Sequence, residues 1–181
     1  FCSLYVDTDL GGMGLGRLDA SIVFEQLASG CTSTTAFLTI HNMAIWMVSK
    51  FGSEELKSEW FPALSSGSKL ASYCLTEPNS GSDAASLKTT ATREGDSYVI
   101  NGSKAFISGS GSTDCLILMA RTGEEGPKGI SCFLVEKKWN NRLRILNCPE
   151  DFVLVPAIRL RLLPLILPRP LGRLRSHPLS E

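Results

Sequence analysis

The sequence has no excess of charge of either sign. Its 18 lysine and arginine residues are matched by 18 aspartate and glutamate residues, so the formal net charge is zero. No overall charge therefore indicates nucleic acid or an anionic membrane surface as a partner. The sequence also lacks a run of roughly 20 apolar residues, the length that a membrane-spanning helix requires. We expect neither a nucleic-acid partner nor a membrane partner.

Clustered metal ligands are missing too. No two of the six cysteines stand at the C-x-x-C spacing of zinc sites, and the chain has only two histidines. We therefore expect no metal site and a reducing compartment. The thiols at 31, 74, 115 and 132 stand among apolar residues, which predicts that they are buried.

Common nucleotide-binding and nucleophilic motifs are also absent. The glycines at 11, 12, 14 and 16 do not match G-x-G-x-x-G, and the Gly-Ser-Lys runs at 67–69 and 102–104 lack the upstream glycine of a P-loop. His41 and His177 offer no credible Ser-His-acid arrangement. The chain begins at Phe1 without the pattern of a signal or transit peptide, so we expect it to be a piece of a longer protein.

The first of three segments is helical. Apolar residues recur at steps of three and four through residues 17–64, which is typical of helices with one buried face. Gly30 and Gly52 are expected at helix ends, and Ser53 at the start of the next helix, where its hydroxyl can cap the first turn. His41 could line a pocket, but its helix position favours the core. Residues 1–69 are thus predicted to be a partial N-terminal helical domain.

The second segment changes to short β-rich runs. They occupy 71–75, 87–93, 98–100, 104–107, 115–120 and 130–135. Asn101-Gly102 is the strongest short signal of a hairpin turn, and Gly95-Asp96 marks another turn. Residues 70–138 are therefore predicted to form a small antiparallel β-barrel or sandwich. The fold class is α+β, with a helical segment followed by this β domain.

The third segment, 139–181, has a different composition. It contains 11 leucines, seven arginines and six prolines but no lysine, whereas residues 1–138 contain three arginines, three prolines and eight lysines. The prolines interrupt both helical and strand periodicity. We expect a disordered tail, either a non-native terminus translated out of frame or from unspliced sequence, or an Arg/Pro-rich interaction tail.

One stretch offers a surface for a ligand. The run Y-C-L-T-E-P-N-S-G-S-D at 73–83 begins as a strand, breaks at Pro78 and continues through small polar residues. Free backbone N–H groups and hydroxyls at such an edge suit a planar ring or a pyrophosphate. A polar turn capped by Asp83 is equally compatible with the composition. A second candidate is K-A-F-I-S-G at 104–109, where an aromatic ring stands beside a hydroxyl.

The strings YCLTEPNSGSDAASLKT, NGSKAFISGSG and GPKGISCFLVEK together resemble the middle domain of the acyl-CoA dehydrogenases, and the upstream helices resemble the family too. The resemblance covers about residues 1–138. It implies an FAD site in which residues 73–76 follow the pyrimidine edge of the flavin, Phe106 covers one face and Ser108 approaches N5. Ser82 would contact the pyrophosphate or the acyl-CoA. The implied cofactor-binding residues are Tyr73, Cys74, Leu75, Thr76, Ser82, Phe106, Ile107 and Ser108.

The resemblance also implies the reaction. It points to α,β-dehydrogenation of a short branched acyl-CoA, isobutyryl-CoA in valine breakdown, in the mitochondrial matrix, with electron-transfer flavoprotein as partner. The family's catalytic base belongs to a C-terminal helical bundle that also supports a homotetramer, and nothing after Lys138 resembles that bundle. We therefore expect no catalytic residue, no activity and a doubtful tetramer. Glu77 is expected to be a structural acceptor. The alternatives are a non-catalytic FAD- or acyl-CoA-binding fragment and a dehydrogenase for another short acyl-CoA.

Asn79 departs from the family pattern, which commonly has glycine there. Asparagine tolerates positive φ better than other side chains, so we expect the turn to persist.

Overall fold

The computed structural model describes residues 1–95, 97–136, 144–145 and 153–161, the last two ranges at the level of the backbone. Three helices come first, α1 (Arg17–Gly30), α2 (Thr32–Phe51) and α3 (Glu54–Ser65). Seven strands follow: β1 (Ala71–Cys74), β2 (Thr90–Glu94), β3 (Ser97–Lys104), β4 (Cys115–Arg121), β5 (Ile130–Glu136), β6 (Arg144–Ile145) and β7 (Val153–Arg161). Single 3-10 turns lie at Thr8–Leu10, Ala84–Ser86 and Pro127–Gly129. The predicted order of a helical segment followed by a β domain is confirmed.

The helix boundaries follow the predicted signals. The Ser53 hydroxyl accepts a hydrogen bond from the Leu56 N–H at 3.3 Å, so it caps α3 as expected. Gly52 ends α2, and Gly30 is the last residue of α1. Each break is short, which keeps α2 and α3 adjacent and lets both pack beneath the sheet.

The sheet is mixed, and this corrects the expectation of an antiparallel one. Its strand order is β1-β4-β2-β3-β7-β6, with β5 on the other pairing of β4. β1 pairs with β4 in parallel, whereas β4 with β5 and β2 with β3 are antiparallel. The sequence between β1 and β4 contains two other strands, and so long a connection permits parallel pairing that a hairpin would forbid.

The predicted hairpin turn at Asn101-Gly102 is wrong. Both residues lie inside β3. The last pair of the β2–β3 hairpin is Glu94 with Ser97, so the chain turns instead at Gly95. Pairing with β2 on one side and β7 on the other holds β3 extended through a pattern that locally favours a turn. Gly102 is still required, because a Cβ there would lie 2.3 Å from Thr89 Oγ1.

Two strands lie in the segment for which disorder was predicted. β7 pairs antiparallel with β3, and β6 pairs with β7. The register slips between Ile100 and Gly102, so that Pro156 lies in a bulge, one of the few sheet positions that tolerate a proline. The backbone groups of β3 supply a template for pairing that does not depend on side-chain periodicity. The rest of residues 139–181 lies outside the described residues.

The core lies between α2, α3 and the strands β1, β4 and β5. His41 is fully buried in it and bridges two elements, because its Nε2 lies 2.9 Å from the Leu64 carbonyl oxygen and its Nδ1 accepts the Ala71 N–H at 3.2 Å. Cys74, Cys115 and Cys132 are buried as predicted, but Cys31 is exposed because it sits at the break between α1 and α2.

Candidate functional site

The strand β1 carries the first candidate stretch to the edge of the sheet. Cys74 pairs with Leu118 in the last β1–β4 register position, and the chain then continues into residues 75–80, here named the β1 extension. The Thr76 carbonyl oxygen accepts the Ala105 N–H at 2.9 Å. This bond joins the β1 extension to residues 105–114, the β3–β4 loop, and brings the two predicted stretches together.

The β1 extension closes on itself in a tight turn. Glu77 N–H donates to the Ser80 carbonyl at 2.9 Å, and Ser80 N–H returns a bond to Glu77 at 3.1 Å. Pro78 and Asn79 are exposed at its corner. Among the described residues Phe106 is the only non-glycine residue with positive φ, so the turn does not need the left-handed conformation expected of Asn79. Asparagine in place of glycine is therefore unstrained.

The Glu77 carboxylate is a structural acceptor, as the sequence predicted. It is 7% exposed and accepts from Lys88 N–H at 2.6 Å, Thr89 N–H at 2.9 Å and Lys104 Nζ at 2.8 Å. Burial acts to raise the pKa of Glu77, but the hydrogen bonds from Lys104, Thr89 and Lys88 outweigh it, and the net shift is downward. Both carboxylate oxygens of Glu77 are thus already bonded within the fold.

The β3–β4 loop presents an aromatic ring to solvent. Phe106 has φ 56 and is 70% exposed, and it makes no hydrogen bond to any described residue. A bulky residue in the left-handed region is a strained exception that the surrounding structure must impose. Neither its hydrophobicity nor its backbone preference accounts for this position.

The same loop is pinned to β1 by hydroxyl groups. Ser72 Oγ donates to the Ser108 carbonyl at 2.6 Å and lies 2.8 Å from Thr113 Oγ1. Gly109 has φ 76, and a Cβ there would lie 2.5 Å from Phe37 Cε2 on α2. These contacts attach the loop to β1 and α2 just after Phe106, and the Ala105–Thr76 bond attaches it just before Phe106.

The predicted residues differ in what they can offer. Tyr73, Leu75 and Thr76 are half-buried, and Ser108 and Ser82 are exposed. No described residue bonds to the hydroxyls of Thr76, Ser82 or Ser108. The side chains of Cys74 and Ile107 are buried, so only their backbone could meet a ligand, and burial raises the pKa of the Cys74 thiol well above its usual value.

Ser82 stands apart from the other predicted residues. It follows the 77–80 turn, beside a small network in which Ser80 Oγ donates to the Asp83 carbonyl at 2.7 Å and Ser86 Oγ donates to the Asp83 carboxylate. Among the described residues no hydrogen bond joins Ser82 to Thr76 or Phe106. Its predicted role stays a prediction.

Two cavities flank this region without containing the predicted ring site. One of about 320 Å³ lies beside the turn and includes Thr89, Lys88 and Ser103 in its lining. The other, of about 470 Å³, lies between residues 85–88 and Arg121, Glu125 and Gly126.

Sequence reasoning missed several residues that hold the loops of this region. Arg121 donates to the carbonyls of Ala85, Leu87, Glu124 and Gly126, tying two loops together around the second cavity. Ser72 was also missed, and Lys104 was named only as the first residue of the second candidate stretch. A serine and a lysine at strand positions flanked by buried residues were the available signals, because such groups need partners when buried.

Two other classes of feature are not found in the part of the chain that the structure describes. No described helix is long and apolar enough to cross a membrane. Nor do three or more histidine, cysteine, aspartate or glutamate side chains come together there as a metal site would require.

Comparison with protein families gives two matches that follow each other along the chain. Residues 1–68 match the model described as acyl-CoA dehydrogenase, N-terminal domain, and residues 72–147 match acyl-CoA dehydrogenase, middle domain. The second match continues beyond residue 138, where the resemblance was expected to end. The boundary of the unusual tail therefore does not coincide with the family match.

Curated relatives agree with these matches. The chain is 61% identical over 137 residues to a protein of Bos taurus, "Isobutyryl-CoA dehydrogenase, mitochondrial", covering 76% of this chain and 33% of that protein. It is 59% identical over 138 residues to the protein of that name from Dictyostelium discoideum, with the same coverage. The chain thus spans about a third of the length of these relatives.

Solved structures share the fold. A probable acyl-CoA dehydrogenase from Mycobacterium abscessus superposes with a TM-score of 0.80 at 28% identity, over 88% of this chain and 45% of that one. The FAD complex of PigA superposes with a TM-score of 0.76 at 28% identity, over 90% of this chain and 47% of that one.

Proposed function

Because the chain belongs to the acyl-CoA dehydrogenase family, we propose that it is the flavin-binding part of an enzyme that oxidises a short branched acyl-CoA. The observation that carries the proposal is Phe106. An exposed aromatic ring held at positive φ beside unpartnered hydroxyls is a costly arrangement, and a planar ligand that covers the ring would explain it.

FAD fits the groups available at this surface. Thr76 and the backbone of residues 73–76 would hold the pyrimidine edge, Phe106 would cover one face, and Ser108 would approach N5. Ile107 would contribute its backbone only, since its side chain is buried. When bound, FAD supplies the acceptor for the hydride that leaves the β-carbon of the acyl group. The protein groups orient the ring and keep water from one face.

Isobutyryl-CoA is the proposed substrate. The support is the name of two relatives that are 59–61% identical over 137–138 residues. The same names support the mitochondrial matrix as the location. Electron-transfer flavoprotein is the proposed electron acceptor, and Ser82 is proposed to contact the acyl-CoA. A homotetramer is a further proposal for the whole protein.

The chain of 181 residues is proposed to bind flavin without turnover. Glu77 is the one carboxylate in the β1 extension, and all its bonds go to Lys88, Thr89 and Lys104. The β3–β4 loop contains no acid before Asp114, whose Oδ2 accepts the Leu70 N–H. Without a positioned base a rate loss of about 10²–10⁴ is expected. A dehydrogenase for another short acyl-CoA is the alternative substrate assignment.

Flavin titration tests the site. Purified chain is titrated into FAD, and the quenching of flavin fluorescence gives a dissociation constant. Thr76→Ala and Ser108→Ala each should weaken binding by roughly 5- to 150-fold, since a hydrogen-bonded edge group loses its partner. Thr92→Ala, an exposed hydroxyl on β2, is the matched control and should change nothing. Equal affinity in all three variants would place the site elsewhere.

Turnover is tested separately on the loaded chain. Isobutyryl-CoA and butyryl-CoA are added with an artificial electron acceptor, and dye reduction is followed. Flavin binding without dye reduction is the expected outcome. Dye reduction at the rate of a full-length dehydrogenase would show that a base is present in the chain, and preference for butyryl-CoA would favour the alternative substrate.

A further inference from the structure

Lys104 is a buried cation at the end of β3. Its side chain is 0% exposed, and Nζ donates to the Leu75 carbonyl at 3.0 Å and to Glu77 Oε1 at 2.8 Å. Burying an ammonium group costs several kcal/mol, and a neutral side chain of similar volume often serves stability as well. Packing alone therefore does not account for a lysine at this position.

The bond from Lys104 acts on one particular peptide group. The Leu75 carbonyl and the Thr76 N–H belong to the same planar amide, so a charged donor on the oxygen withdraws electron density from the nitrogen. Hydrogen bonds polarise one another along such a chain. The Thr76 N–H thereby becomes a stronger donor toward whatever lies beyond it.

The same dipeptide also fixes the next amide. Ala105, the neighbour of Lys104, donates its N–H to the Thr76 carbonyl at 2.9 Å. Residues 104 and 105 therefore hold the carbonyls on both sides of Thr76, one by a side chain and one by the backbone. This double attachment sets the orientation of Thr76 relative to the loop that carries Phe106.

We infer that Lys104 is a positioning residue that strengthens and aims the Thr76 N–H as a donor to the pyrimidine edge of bound flavin. The inference rests on the proposed function. Negative charge accumulates at that edge when flavin is reduced, so a stronger donor there binds reduced flavin more tightly than oxidised flavin. Glu77 anchors the ammonium and keeps it at the Leu75 oxygen.

The test compares Lys104→Met with Lys104→Arg and with a surface control, Lys50→Met, whose ammonium pairs with Asp7 away from the site. The midpoint potential of FAD bound to each chain is measured against reference dyes. For Lys104→Met the ratio of reduced to oxidised flavin affinity should fall about tenfold, which is about 30 mV for a two-electron couple. Lys104→Arg should recover most of that ratio, and Lys50→Met should leave it unchanged.

A second variant guards against loss of folding. Lys104→Met combined with Glu77→Gln removes both charges of the pair, so no lone buried charge is left. In the flavin-free chain, the ¹³C shift of the Leu75 carbonyl should move in this variant and in Lys104→Met but not in Lys50→Met.

The outcomes separate the two proposals. A purely structural Lys104 would lower thermal stability and flavin occupancy while leaving the potential of the bound flavin unchanged, and that result would overturn the inference alone. An unmoved Leu75 carbonyl shift would do the same. Failure of the unchanged chain to bind FAD would overturn the proposed function and this inference with it.

Discussion

The β1 extension and the β3–β4 loop meet at one backbone hydrogen bond, but they are fixed by different kinds of contact. The β1 extension depends on ionisable groups: the buried Glu77–Lys104 pair holds it, and His41 holds the start of β1. The β3–β4 loop has one ionisable side chain, Asp114 at its last position, which accepts the Leu70 N–H, and residues 105–113 have none. They are held by the Ser72 hydroxyl and by close packing of Gly109 on Phe37.

This difference indicates what the β1 extension and the β3–β4 loop can each do. A buried ion pair with every oxygen bonded leaves little freedom, which suits a segment that presents main-chain groups in fixed directions. A loop held by neutral contacts can instead carry a strained side chain, provided that both of its ends are fixed. Substitutions should therefore have electrostatic effects in the β1 extension and steric effects in the β3–β4 loop.

The largest effect is expected from Glu77→Gln. The substitution leaves the Lys104 ammonium buried without its counter-charge, which typically costs about 3–5 kcal/mol in the free energy of unfolding. Urea denaturation measures this loss. Glu54→Gln is the matched control, because Glu54 pairs with Lys57 at the surface, where such pairs contribute roughly 0–1 kcal/mol. Equal losses in the two variants would contradict the claim that charge fixes the β1 extension.

Gly109→Ala tests whether packing fixes the β3–β4 loop. A methyl group at φ 76 is strained and would also meet Phe37 Cε2 at 2.5 Å, so we expect a loss of about 2 kcal/mol. Gly111→Ala in the same loop is the control, since a Cβ there meets nothing within 4 Å. The two losses, measured by urea denaturation, should differ by more than about 1 kcal/mol. A smaller difference would mean that the loop adapts and is not fixed by packing.

The sequence predicted the elements better than their connections. Helix ends at Gly52 and Ser53 and the strands around 71–74, 115–121 and 130–136 follow from local rules, because capping and apolar runs are local properties. The predictions of a turn at Asn101-Gly102 and of an antiparallel sheet were wrong, because pairing between distant strands determines both features. No local pattern reports that β3 has a partner on each side.

The residues of the candidate site were chosen from the motif and not from composition. Composition left residues 73–83 equally compatible with a polar turn, and Phe106 by itself would have been assigned to the core. The structure leaves that ring 70% exposed, in a loop attached by the Ala105–Thr76 bond before Phe106 and by the Ser108 and Gly109 contacts after it. Those contacts join residues far apart in the chain, so sequence periodicity cannot reveal them.

The free energy of unfolding should depend on pH through His41, which holds the start of β1. Burial lowers the pKa of His41, whose neutral ring accepts the Ala71 N–H at Nδ1. A pKa that is lower in the folded state gives stability that is fully present above the unfolded value of about 6.5 and is lost as the pH falls below it. Stability should decline by at most about 1.4 kcal/mol per pH unit in that range.

The measurement uses His177→Gln as the background, so that His41 is the only histidine left. Urea denaturation of this chain and of the His41→Gln double variant is compared between pH 5 and pH 7.5. The difference between their free energies of unfolding should shrink as the pH falls. A difference independent of pH would show that His41 binds protons equally in the folded and unfolded states. Only Glu77 and Lys104 would then connect the β1 extension to ionisable groups.

The smallest effect on the free energy of unfolding is expected at Phe106, where a polar substitution should be more stable than an apolar one. Phe106→Asn replaces a strained residue by one that tolerates the left-handed region, and little packing is lost because the ring is exposed. Phe106→Leu keeps the strain and removes only the aromatic ring. We expect the Asn variant to be more stable than the Leu variant by about 1 kcal/mol in urea denaturation, while both bind FAD more weakly than the unchanged chain. An Asn variant less stable than the Leu variant would mean that Phe106 is not strained. The loop would then resemble the β1 extension in being held without internal conflict, and the exposed ring would no longer point to a ligand.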